Sequence, residues 1–371
     1  MSSLEMIARA LTKARAARPL DELSEAADVS RQTIALAEAG RPALTTAQLA
    51  RLADALHVDV AALYRGEVVR RESPSIFFRH QSYHDFSAAD LPVLDRALEQ
   101  GRALRYLSDR LAQPAPPVFE HRKVGRLRGK RAAAQGYALA RRVRVEMGMP
   151  TACALDLVRL LEEVFRVAVV HETLSSARVV ASSVRVPEGA AIVLNALDSV
   201  RLRNPVVGSV HLAHELCHVL FDPSEGGLNF VYDLDDDSDA SGLEQRARGF
   251  AAEFLLPWQG LFQMEGEPQG LVSRQAAESL IRRVRSHFGT PQTITTNHLV
   301  NHGYIHPSMR EALADMSPEV VGDFAPALPP VGEPSAELRR LVQAAHECSL
   351  ISDGESRTAL GIDILEPLPW S

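Results

Sequence analysis

HLAHELCHVLF, residues 211–221, is the stretch on which the reading of the whole chain turns. Residues four apart on an α-helix lie on one face, so His214 and His218 can address a single cation together. Imidazole nitrogen suits zinc, which takes four ligands in a tetrahedron; a hydrolytic site uses three protein ligands and leaves the fourth place to water. Glu215 points roughly 100° away from His214, beside such an ion rather than onto it. A carboxylate there can take a proton from water and return it to a leaving amine, the chemistry of HExxH on a helix. The competing reading is a core helix with two hydrogen-bonded histidines. The surrounding VVGSVHLAHELCHVLF weighs against it, because polar groups on so apolar a helix cost about 1–3 kcal/mol each if they lack partners.

The third ligand has several candidates downstream: Asp222, the acidic run DLDDDSD (233–239), Glu244 and Glu253. The acidic run lies among Gly and Ser and reads as a solvated loop over the cleft. Glu244 opens a second apolar helix, LEQRARGFAAEFLLP, in which Ala247, Phe250, Ala251 and Phe254 repeat at three and four. That spacing buries one face, and Glu244 is one turn before Ala247 on nearly the same side. Its alternative reading is an acid at a helix N-terminus, where the dipole favours it. Glu253, two and a half turns further on, reads as a structural or supporting acid. Cys217 lies about 60° from His214 on the helical wheel. It reads as a small packing residue, with a redox-sensitive thiol as the sharper alternative.

Composition limits what else the chain can be. A net charge of −7 over 371 residues argues against general polyanion binding, so any DNA contact must be local. Three cysteines without a CxxC pair argue against a disulfide framework or a thiolate metal site and suit a reducing, cytoplasmic compartment. MSSLEMIARALTKAR lacks the apolar core of a signal peptide, and no apolar run of about 18 residues is present, so no membrane partner is expected.

The chain divides by pattern into residues 1–67, a connector over 68–135, a catalytic-type unit over 136–305 and a helical tail over 306–371. The fold class is α+β, mostly helical. The first unit reads as five short helices. Ser30 caps SRQTIALAEAG and Gly40 ends it, and the tight turn after LDELSEAADV makes the pair a helix-turn-helix. Its reading residues would be Ser30, Arg31, Gln32 and Thr33, with Arg41 on a phosphate. Residues 1–66 hold eight Lys/Arg and eight Asp/Glu, so a monomer should bind weakly and a homodimer on paired half-sites of a double-stranded operator should bind better. A helical domain retained for protein contacts alone is the alternative. In the connector, residues 89–112 have a helical period, Phe77-Phe78 looks like an apolar anchor, and the basic run 121–131 reads as a solvated surface or a second nucleic-acid contact. Further on, ACALDLVRLLEEVF reads as a helix. Residues 167–171, 178–186 and 190–195 read as short strands in a small sheet. Helices follow at 205–220, 243–256 and 273–287, then one over 290–305 that starts on a Thr cap. SAELRRLVQAAHECSL is the one helix of the tail.

In order, DVSRQTIALAEAGRPALTTAQLARLADAL, IFFRH, AAIVLN, VHLAHELCHVLF, LEQRARGFAAEFLLP and TPQTITTNHLVNHGYI make the chain resemble the ImmA/IrrE metallopeptidases fused to an N-terminal Xre-type helix-turn-helix domain. The resemblance covers about residues 5–66 and 136–305. It implies a gluzincin-like domain with a small β-sheet, zinc (Zn2+) held by His214, His218 and Glu244, and Glu215 as general base. It also implies a DNA-binding regulator that cleaves a specific repressor-like protein substrate in a stress or mobile-element response. A non-proteolytic transcription factor, whose metallopeptidase-like domain senses a ligand or partner, is the alternative. Two departures stand out: Cys217 replaces the glycine usual in HELGH, and Arg248 replaces a frequent Asn.

Overall fold

The computed structural model describes residues 3–370 apart from 17, 57, 59, 69–87, 112–123, 125–129, 152–155, 178, 187, 199–204, 223–228, 235–241, 315, 317–327 and 364–365. The Phe77-Phe78 anchor, nearly all of the basic run 121–131, Cys153, and residues 235–239 of the acidic run therefore lie outside the described residues. The chain forms two compact units, Met1–Ile76 and Phe77–Ser371.

The first unit is built of short helices: α1 (Ser3–Arg15), α2 (Leu20–Ala27), α3 (Arg31–Glu38), α4 (Thr46–Ala55) and α5 (Val60–Tyr64). Helix α2 stops because Asp28 adopts the left-handed conformation (φ 48°), and Ser30 starts α3 by accepting the Thr33 N–H. Gly40, at φ 72°, stands just beyond the end of α3. Leu11, Leu23, Ile34 and Leu52 fill the middle of the unit, and a part-buried Arg15–Glu38 ion pair ties α1 to α3.

The second unit centres on a four-stranded mixed sheet in the order β1 (Val167–Glu172), β3 (Gly189–Asn195), β2 (Val179–Val186), β4 (Asn229–Leu234). β1 runs parallel to β3; β2 is antiparallel to both β3 and β4. Every residue of β3 is buried, so both faces of the sheet are covered. Helix α6 (Leu91–Leu111) packs on β3 and β1. Helix α9 (Pro205–Phe221) packs on β2, β3 and β4, sharing a core with Ala190, Ile192 and Leu194. Between these lie α7 (Lys130–Glu146) and the four-residue α8 (Leu157–Leu160). Beyond α9 follow α10 (Gly242–Leu255), α11 (Trp258–Glu265), α12 (Arg274–Phe288), α13 (Gln292–Asn301), α14 (Ala336–Glu347) and α15 (Asp353–Leu360). The chain is thus α+β and mostly helical.

Four local expectations are corrected. The helix read through LVRLLEEVF changes at Leu161 into a π-helical turn ending at Phe165, closed by Arg166 at φ 55°; its apolar period does not register the extra residue per turn. Asp233 and Leu234, read as part of a solvated loop, end strand β4. Thr290 does not cap α13: Pro291 occupies that place, and the Thr290 hydroxyl instead meets that of Thr295 at 2.7 Å. The tail holds two helices, because Ser352 and Glu355 form a reciprocal capping box that starts α15. Helix α14 packs on α6, and α15 packs on both.

Close approach of α7 to α10 sets the position of the next feature. A β-carbon on Gly136 would collide with the backbone oxygen of Arg246, and one on Gly249 with that of Ala133. The two glycines let α7 and α10 touch backbone to backbone, and α10 also packs on α9.

Candidate metal centre

Helix α9 begins at Pro205, which needs no intrahelical N–H there. Its apolar residues Leu212, Ala213, Leu216 and Leu220 enter the core, and His214 and His218 are carried inward with them. Glu244 comes from the first turn of α10, whose Ala247, Phe250, Ala251 and Phe254 join the same core. The two helices bring three side chains together. His214 Nε2 stands 3.1 Å from His218 Nε2 and 3.0 Å from Glu244 Oε2, and His218 Nε2 is 3.5 Å from Glu244 Oε1. Glu215 is fully buried and close enough to favour the protonated form of His218.

Two imidazole nitrogens and a carboxylate oxygen form a donor set that fits zinc. Their separations resemble the roughly 3.4 Å edge of a tetrahedron with bonds of about 2.0–2.1 Å. Burial works against charge on His218, but Glu244, then Glu215, raise its pKa to about 9. Burial likewise opposes charge on Glu244, yet His218 and His214 hold it well below the usual carboxylate range.

Asp222, one of the sequence candidates for the third ligand, has a different place. It is fully buried one turn beyond His218 and accepts the Nδ1–H of that ring at 2.6 Å. The buried Arg246 guanidinium pairs with its other oxygen. A carboxylate on Nδ1 fixes the tautomer and turns Nε2 towards the cluster. The spacing of four from His218 was the available signal. Cys217 is fully buried among Leu216, Ala213 and Phe250, and burial pushes its thiol up, the opposite of a reactive cysteine. Glu253 lies in the last turn of α10, away from this cluster, where Arg141 of α7 grips it at 2.8 and 3.4 Å.

In the first unit, Ser30 and Thr33 are joined through the α3 cap, their hydroxyl oxygens 2.7 Å apart. Arg31, Gln32 and Arg41 are exposed, and Arg31 reaches Asp21 of α2 at 3.1 Å.

A protein-family model described as the IrrE N-terminal-like domain, of the M78 peptidase class, matches residues 163–288. The match runs from the π-helical turn to the end of α12 and contains the sheet and both helices that carry His214, His218 and Glu244. This segment is therefore similar to a metallopeptidase domain. No curated protein and no solved structure matches the chain. No described helix is long and apolar enough to cross a membrane.

Proposed function

We propose that the chain is a zinc-dependent endopeptidase that cleaves a specific repressor-like protein, joined to an Xre-type helix-turn-helix unit that binds a double-stranded operator as a homodimer in the cytoplasm. The observation that carries the reading is the convergence of His214, His218 and Glu244 on one point from two packed helices, within a segment similar to M78 peptidases. His214 and His218 would hold the ion through Nε2 and Glu244 through its carboxylate, while Asp222 keeps His218 in the metal-binding tautomer. Bound there, zinc would supply a Lewis acid that polarises a peptide carbonyl and acidifies water. Glu215 would take the proton of the attacking water and deliver it to the departing amine.

On the DNA side, Arg31, Gln32 and Arg41 offer donors at the start and just beyond the end of α3, which would enter the major groove. The near-neutral balance of this unit supports a dimer whose two half-sites add their contacts.

Glu215→Gln separates peptidase from sensor. The variant should keep zinc and DNA binding while cleavage of the partner repressor falls at least about a hundredfold. Unchanged regulation by the variant would instead favour a non-proteolytic transcription factor.

A further inference from the structure

The far end of α10 carries a second convergence, two of whose three residues lie beyond the segment that matches the peptidase family. His298 lies in α13 and His302, four residues on, caps its C-terminus, in TNHLVNHG. Both rings turn towards Glu253 in the last turn of α10: Oε2 lies 3.5 Å from His298 Nε2 and 3.6 Å from His302 Nε2. Those separations exceed a good hydrogen bond but suit ligands sharing an ion, since a tetrahedron with bonds of about 2.1 Å has edges near 3.4 Å. Glu253 and His298 are wholly buried and His302 is 15% exposed, so the cluster has one open side.

The rest of the surroundings hold these groups in place. Arg141 Nε at 2.8 Å and the Trp258 N–H at 3.0 Å take Oε1 of Glu253, while Oε2, which Arg141 Nη2 reaches only at 3.4 Å, faces the imidazoles. Tyr137 stacks on His298 (centroids 5.3 Å apart, 8° between planes) and Trp258 on His302 (4.8 Å, 14°). Neither ring nitrogen of His298 has a hydrogen-bond partner among the described residues, and His302 Nε2 has only the 3.6 Å approach of Glu253. Buried imidazole nitrogens are seldom left so. Burial also keeps His298 uncharged, as a ligand must be, with its pKa near 3.

We propose that Glu253, His298 and His302 form a second site for a divalent transition ion of the imidazole-preferring class, zinc foremost, which clamps α13 to α10. Nine residues separate Glu244 from Glu253, about 13–14 Å along α10, so the two sites share a helix but no ligand. The role is structural: the set is two neutral imidazoles and one carboxylate already engaged by Arg141, and among the described residues no further carboxylate or imidazole joins them.

The test uses untagged full-length protein, stripped by chelation and titrated with Co2+, whose visible d–d bands report tetrahedral nitrogen and oxygen ligands. The double variant His214→Gln/His218→Gln disables the first centre. It should still take up one equivalent, and added Zn2+ should raise its thermal midpoint. Adding His302→Gln, at the partly exposed position, should abolish both effects. His302→Gln alone should reduce wild-type uptake by one equivalent. The proposal is overturned if the folded double variant binds no Co2+, or if its uptake and midpoint response survive His302→Gln. Should any His302→Gln protein fail to fold, the double variant alone decides. Failure of the first centre would show separately, as uptake unchanged by His214→Gln/His218→Gln.

Discussion

Asp222 Oδ2 accepts a 2.6 Å hydrogen bond from His218 Nδ1, and the two residues are one helical turn apart. The other oxygen of Asp222 meets Arg246, so a buried chain of three charged or polar groups stands behind one face of the His214–His218–Glu244 cluster.

Asp222→Asn removes the charge and keeps the shape. Partners of this kind typically account for 10–100-fold in metal affinity, so zinc binding should weaken by about that factor. Competition against a chelator of known affinity measures it. A change under about twofold would show that Asp222 does not orient His218.

Acid and base should act oppositely on the zinc-stripped protein. His218 has a folded pKa of about 9, above its ordinary 6.5. Its stabilising contribution is therefore complete below about pH 6.5 and disappears as pH rises through 9. Glu244 is depressed, so its contribution is present above about 4.5 and disappears as acid titrates it. Denaturant midpoints of the stripped protein should peak between those limits. Zinc should displace a proton from His218 near neutral pH, and calorimetry in two buffers of different ionisation enthalpy should show the release. Identical heats in the two buffers would contradict it.

Gly249→Ala should separate α7 from α10. Alanine favours helix by up to about 1 kcal/mol over glycine, but overpacking of this sort costs about 1–3 kcal/mol or more. Here the added carbon meets backbone, which cannot rotate away. A lowered thermal midpoint with weaker zinc binding is expected. An unchanged midpoint would mean that the helices do not touch at Ala133.

Replacing Arg31 and Gln32 together by Ala should weaken operator binding, read by fluorescence anisotropy on labelled duplex, without moving the thermal midpoint. Both side chains are exposed, and the Arg31–Asp21 pair, open to solvent, contributes about 0–1 kcal/mol at most. Equal affinity would remove α3 from the DNA interface.

What could be read in the sequence follows from the range of the forces involved. His214 and His218 share a helix, so their meeting is a matter of local geometry. Glu244 is thirty residues away, yet its place one turn before the buried repeat of Ala247, Phe250 and Phe254 pointed it at the core. Strands β1 to β3 lie in short β-branched runs between turn residues. Strand β4 was hidden because its last residues merge into an acidic run that reads as solvated. The π-helical turn at 161–165 leaves the apolar pattern unbroken. The spacing of His298 and His302 was in plain view, but nothing local says that α13 docks on the far end of α10. That is a tertiary contact between α13 and α10, which no local pattern encodes.

Anomalous diffraction at the zinc edge from crystals of the full-length protein grown with zinc tests the central claim most directly. A peak about 2.0–2.2 Å from His214 Nε2, His218 Nε2 and a Glu244 oxygen is the predicted result. A peak coordinated by other residues, with none between these three, would contradict it.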